Sequence, residues 1–473
     1  MYKHLFFDDQ RLYVRQGLRR EYGVPEAVGS FVDPRYATPY CWCWALRGID
    51  GKVHLLYTGH VQDENGKVFN CFGAAISDDG IAFQLRNTAT ESGIDNPVTP
   101  NQFLAPSTDQ GIFNSEIALI LEDRQAPPSE RYKLLYADMA PWVPTRHVVD
   151  SIYTSPDLVK WTLKEGAIWN TEGTEPLTGG FFNPVSGKFT ILTRPDFGQR
   201  RVAVTETADW YHFTPPELCM QCDSLDDTLA EIYGMPALEY DGWFIGFPHV
   251  YSGFAQEIFV KFFGGTMNAQ LAYSLNGHHW QRSLRTPFVS GEMLPDGPWK
   301  MAYLSSFLRE PDGSLLLYVC SSRKEHGAKA EEMMGQSCIH VLRLRADGFI
   351  RLSTTGEEEG VLALRETCLQ APRLQINLQA KHATCAIYKF DSRGKEAWRS
   401  HEDCIPFSGD STCWEPQWRS GDLQELVGQL VNIEVKLQDG SLYSIAYDGV
   451  PLMGSQSSRY FAKGILPTRE RWF

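Results

Sequence analysis

Three carboxylates in this chain stand where an apolar strand begins. Asp33 lies in "FVDPRYATPYCWCW", Glu116 in "GIFNSEIALILED" and Glu231 in "DDTLAEIYGMPALEY". A carboxyl group among apolar side chains resists ionisation, because burial disfavours the charged form. Such a group can hold a proton for donation near neutral pH. A carboxylate in polar company can accept one. Ile232, Tyr233 and Met235 give Glu231 the first kind of surrounding. Asn114 and Ser115 stand beside Glu116, within reach of a hydroxyl group. Each position also has a plain structural use: Asp33 as a turn cap before Pro34, Glu116 as an edge carboxylate, Glu231 as a hydrogen-bonded strand start. Asp8, Asp9 and Asp109 are rival carboxylates, with Asp8 and Asp9 on a strand expected to close the fold.

The elements that must position these groups repeat. "IDGKVHLLYTG" (49–59), "SERYKLLYAD" (129–138), "VSGKFTILTRP" (185–195), "EYDGWFIGFPH" (239–249) and "EPDGSLLLYVC" (310–320) share one form. Each is a polar turn followed by an apolar, β-branched or aromatic run, and each is preceded by another apolar run. Four carry Gly at the turn, where a hairpin needs positive φ. A second motif alternates with the first: "AISDDGIAF" (75–83), "YTSPDLVKW" (153–161), "VTETADWYHF" (204–213), "AYSLNGHHW" (272–280) and a weaker "RLRADGFI" (343–350). Units of four short strands in this alternation predict an all-β chain, a five-bladed β-propeller. Beyond the acidic "TTGEEEG" come alternating strands without the second motif. They predict a C-terminal β-sandwich, with the propeller over 1–350 and the sandwich over 351–473.

Composition narrows the classes further. The 473 residues carry a formal charge of -14 and 12% aromatics. That charge argues against a nucleic-acid partner or an anionic membrane surface. The start, "MYKHLFFDDQRL", has no apolar signal core, and no apolar run reaches the roughly 18 residues a membrane helix needs. Eleven irregularly spaced cysteines, including "CWC" and "CMQC", fit reduced thiols in a cytoplasmic protein. No metal or cofactor is expected: zinc spacing, a Walker loop, a dinucleotide fingerprint and a nucleophile elbow are all missing. The spacing of Asp223, Asp226 and Asp227 fits no EF-hand.

The repeated Ser-x-Asp-Gly-x-x-aromatic turns resemble those of five-bladed propeller glycoside hydrolases, the group that includes families 32, 43, 68 and 130. The tail "IPFSGDSTCWEPQWRSGDLQELVGQLVNIEVKLQDGSLYSIAY" is similar to the C-terminal sandwich of family 32. The Asn-Asp-Pro-Asn and Arg-Asp-Pro segments of that family are absent, so the likeness is to a divergent member. It implies cleavage of a glycosidic bond in a short oligosaccharide, a fructofuranoside or another furanoside. Asp33 would be nucleophile or base, Glu116 the orienting carboxylate and Glu231 the acid. Trp42, Trp44, Trp142 and Tyr233 would offer faces to sugar rings, with Asn114, Arg194 and His326 as polar partners. Two alternatives stay open. One is a phosphorylase or transglycosidase, for which Arg194, Arg200 and Arg201 would hold phosphate. The other is a propeller that binds sugar without cleaving it. The sandwich would brace the propeller and offer a surface for a homo-oligomer.

Overall fold

The Asp-Gly and related turns of the sequence are hairpin turns. In the computed structural model, which describes residues 1–36, 42–62, 68–95, 97–104, 115–139, 148–169, 179–194, 200–253, 264–328, 330–356, 358–389 and 396–452, all five expected hairpins pair antiparallel. The tightest joins Tyr240 to Trp243 through Asp241 and Gly242, at φ 51° and 86°. Two successive positive φ values match the right-handed twist of the flanking strands. Among the described residues α-helix is confined to Thr88–Ser92 and Ala330–Met333, and the chain is nearly all β.

Residues 25–344 form one compact unit. Four sheets in it are four-stranded, beginning at Cys43–Arg47, Ser115–Glu122, Gly180–Asn183 and Ala237–Tyr240. A seven-stranded sheet contains a further antiparallel run of four: Met301–Arg309, Leu315–Ser322, Ser337–Leu344 and Glu26–Phe31. The arrangement is propeller-like. Glu26–Phe31, the first strand of the unit, pairs with Ser337–Leu344, its last.

The second sequence motif is a structural device. Ser77 Oγ accepts the backbone N–H groups of Asp79 and Gly80, and Asp79 Oδ1 accepts those of Ile81 and Ala82. The same pattern recurs at Ser155/Asp157, Thr207/Asp209 and Ser274/Asn276. Each satisfies backbone donors that the turn takes out of the ladder. Aromatics of these turns then pack onto a neighbouring sheet, as Trp280 does on Phe181, while Trp210 donates its indole N–H to Asp123 at 2.8 Å. The weaker copy at 343–350 departs from this. Arg345 stands in place of the Ser, and Asp347, which lies beyond the 25–344 unit, accepts from Lys3 and Ser444.

A second unit joins residues 1–24 to 345–473. Tyr2–Leu5, Leu12–Gln16 and Leu18–Tyr22 pair with C-terminal strands, so the first 24 residues lie outside the propeller-like unit. Asp8 and Asp9 therefore do not sit on a strand that closes the propeller. Asp9 is held by Arg15 and Arg20. Alternation shows that a strand forms but not which sheet receives it. The nine strands make one curled sheet around Thr367–Lys389 and Leu430–Pro451. Its curl is visible at Thr367, which pairs with both Val431 and Pro451, near opposite ends of the same strand.

Candidate active site

First strands of the propeller-like unit surround a narrow channel of about 140 Å³, lined by Trp44, Leu119, Gly180, Ala237 and Ser305 among others. Gly179 and Gly180 allow this closeness: a Cβ on Gly179 would strike the Met235 carbonyl, and one on Gly180 would strike Leu119. Both glycines serve packing.

Glu231 lies on an extension that begins beyond two prolines. Pro236 and Pro248 have no N–H to donate and flank the 237–246 hairpin, one at the outer end of each strand. Beyond them the chain pairs again as Ala230–Gly234 with His249–Gly253, and Gly265–Ala269 adds a third strand. This ribbon joins the next sheet through a parallel contact of Met267 with Met301. Glu231 is thus one strand removed from the blade entry that the sequence suggested, facing Tyr251 across the ribbon.

Around Tyr233 several chain segments meet. Arg200 donates from Nη1 to Glu231 Oε2 at 2.5 Å and from its backbone N–H to Oε1 at 3.3 Å. The Arg200 guanidinium also lies 5.4 Å from the Tyr233 ring centre and 5.3 Å from that of Tyr251. Arg194 stands 5.0 Å from the Tyr233 ring. His326 Nε2 is 3.4 Å from Tyr233 Oη, and the His326 ring meets both tyrosines edge to face. Trp42 stacks near Tyr233 and His249, with Tyr303 beside them. Five predicted site residues, Trp42, Arg194, Glu231, Tyr233 and His326, are therefore brought together.

Electrostatics set them apart. Burial pushes the Tyr251 phenol up, with Glu231 and Glu325 adding to the shift and Arg200 opposing it. Burial lowers His249 to about 4, so its ring is neutral near pH 7. Desolvation works against the Arg200 cation, but the hydrogen bond to Glu231 and the nearby tyrosines raise it overall. Glu231 keeps a side-chain exposure of 24%. The expected apolar surround is only half present: Ile232 and Met235 are buried beside it, while Arg200 occupies the carboxylate.

Asp33 belongs to a different network. Arg35 reaches it from its backbone N–H, Nε and Nη2, at 3.1, 3.0 and 2.9 Å. Tyr57 Oη donates at 3.0 Å and Asn101 Nδ2 at 3.1 Å. The side chain is 2% exposed. Burial favours the neutral acid, yet the hydrogen bonds from Arg35 and Tyr57 outweigh it and leave the pKa below its ordinary 3.8. Five donors to two oxygens use nearly all of the carboxylate's accepting capacity.

Trp42 and Trp44 are both buried, Trp42 under rings and Trp44 along the channel. Glu116 is a strand position opposite Ala137, and its side chain lies outside the described residues, as do Asp109, Asn114 and Trp142. The acidic loop at 223–227 is neutralised by arginines: Arg282 meets Asp226 at 2.5 Å, and Arg285 bridges Asp223 and Asp226. No cluster of His, Cys, Asp and Glu fit to hold a metal occurs among the described residues. The sequence reading missed Tyr251, His249 and Tyr303, whose apolar strands gave no sign of a site. It also passed over Arg35, although "DPRY" placed it two residues from Asp33.

No family model matches the chain, and no protein of curated function does. Among solved structures it is similar to a glycosyl hydrolase from Bacteroides ovatus, at 15% identity and TM-score 0.44, over 68% of this chain and 94% of that one. It is similar to a structure described with the family 130 mannoside phosphorylases, a family containing hydrolases that target β-1,2-mannosidic linkages in Candida mannan. There the identity is 15%, the TM-score 0.42 and the coverage 69% and 94%. A thermostable family-43 glycoside hydrolase aligns at 11% identity and TM-score 0.45, over 70% and 96%.

Proposed function

We propose that the propeller-like unit cleaves a glycosidic bond of a short oligosaccharide at the cluster around Glu231. The observation that carries this is the convergence of Trp42, Arg194, Glu231, Tyr233 and His326, far apart in sequence, on one set of aromatic rings. Aromatic faces pack on sugar C–H groups, guanidinium forks bind hydroxyl groups or oxyanions, and a carboxyl group moves the proton. In this reading Glu231 exchanges its Arg200 contact for the glycosidic oxygen when substrate enters. Glu116 as orienting carboxylate is the companion proposal, while the hydrogen bonds that fill Asp33 favour a holding role for it over that of nucleophile or base. Each is tested by its amide variant. The finer reading, five blades and a furanoside substrate in the manner of family 32, rests on the likeness of the repeated turns and of the tail.

Sugar release from short fructosides, arabinosides and mannosides, with and without phosphate, tests the proposal. Wild type is expected to cleave one class, and Glu231→Gln to lose about a hundredfold or more, as general acid catalysis supplies. Phosphate-dependent release would point to phosphorolysis, with Arg194 and Arg200 as the phosphate partners. A second reading, sugar binding without cleavage, is favoured by the full engagement of Asp33. It predicts no release from any substrate.

A further inference from the structure

Beside the Glu231 cluster runs a cleft of about 340 Å³ whose walls include Lys300, Arg323, Lys324, Glu325 and His326. Three cations and one carboxylate line it, on a chain whose formal charge is -14. Such a local reversal of sign draws anions out of solution. Arg323 is held in place: its guanidinium lies 4.5 Å from the Trp299 ring centre and donates to the Asp296 carbonyl at 2.6 Å. Lys300 is only 3.9 Å from Glu325, and both side chains are over a third exposed, so that pair yields easily to a better partner. The cleft and the cluster share residues. His326 lines the cleft and meets Tyr233, while Tyr251 donates to the carbonyl of Gly264 on the cleft's wall at 2.8 Å.

We infer that this cleft binds an oxyanion carried by the sugar substrate, a phosphate ester or a carboxylate. The inference rests on the proposal that a sugar occupies the Glu231 cluster. It adds that the sugar is acidic and that its charged end lies over Arg323 and Lys324. Because an ammonium and a guanidinium both accept such a group, the two sources share one site.

Calorimetric titration in about 0.15 M salt, where exposed charges are partly screened, separates this inference from the cleavage proposal because it needs no turnover. The titrants are a hexose 6-phosphate, a hexuronate, the neutral hexose and inorganic phosphate. One of the two anionic sugars is expected to bind at least about tenfold tighter than the neutral one, a margin of about 1.4 kcal/mol. Which of them binds tighter identifies the source of the charge. The margin is expected to disappear in the double variant Arg323→Gln, Lys324→Gln, checked for an unchanged melting temperature. Equal binding of neutral and anionic sugars would overturn the inference. So would a preference that survives in the double variant, or inorganic phosphate binding as tightly as the hexose phosphate. If the anionic preference holds while no bond is cleaved, only the cleavage proposal falls.

Discussion

Asp33 and Glu231 both face an arginine, and they are held in opposite ways. Asp33 is sealed in and accepts from Arg35, Tyr57 and Asn101 together. Glu231 is a quarter exposed and, among the described residues, has one side-chain donor in Arg200, which is itself flanked by tyrosine rings. Saturation makes a carboxylate a strut, since any new partner must displace existing hydrogen bonds within a buried site. Partial exposure leaves a carboxylate free to change partners. The contrast assigns holding to Asp33 and exchange to Glu231.

The sharpest break of this comparison is Asp33→Ala. It leaves the buried Tyr57 hydroxyl without its acceptor, which costs about 1–3 kcal/mol, and takes the ion pair from a partly exposed Arg35. Urea denaturation is expected to show a loss of that size. Next comes Glu231→Gln, with activity down roughly a hundredfold and stability changed by less than about 1 kcal/mol. A third test compares the arginines: Arg35→Gln is expected to lower the unfolding free energy by at least about 2 kcal/mol more than Arg200→Gln. The smallest effect concerns a surface turn, where Asp157→Ala removes the acceptor for two backbone N–H groups and is expected to cost about 1 kcal/mol in thermal unfolding.

Acid sharpens the same contrast. Asp33 has a folded pKa below its ordinary 3.8, so its stabilising share is complete above the unfolded value and is lost as pH falls through 3.8 and below. The stability gap between wild type and Asp33→Asn should be flat above about pH 5 and should shrink under pH 4, read by denaturation at each pH.

Much of the architecture was legible because it is local. Each hairpin carries its own turn residues, and each Ser-x-Asp turn satisfies its own donors. Partner choice was not legible. Nothing in the sequence of Tyr2–Leu5 or Leu12–Gln16 says that these strands join partners about 440 and 350 residues later. The site divides in the same way. Glu231, Tyr233 and His326 drew notice because polar groups beside apolar runs are unusual. Tyr251 and His249 did not, since a buried aromatic at a candidate site and one in a core look alike in sequence. Pro236 and Pro248 carried information that went unread, because together they bound the hairpin on the side where the Glu231 ribbon begins.

The most direct test places Glu231→Gln and Asp33→Asn side by side on the substrate that wild type cleaves, with turnover and urea midpoint measured on the same preparations. The account predicts that Glu231→Gln keeps its midpoint and loses about a hundredfold in turnover. Asp33→Asn should lose stability first, with turnover recovering wherever the protein is still folded. An active Glu231→Gln, or a fully folded Asp33→Asn that is inert, would contradict it.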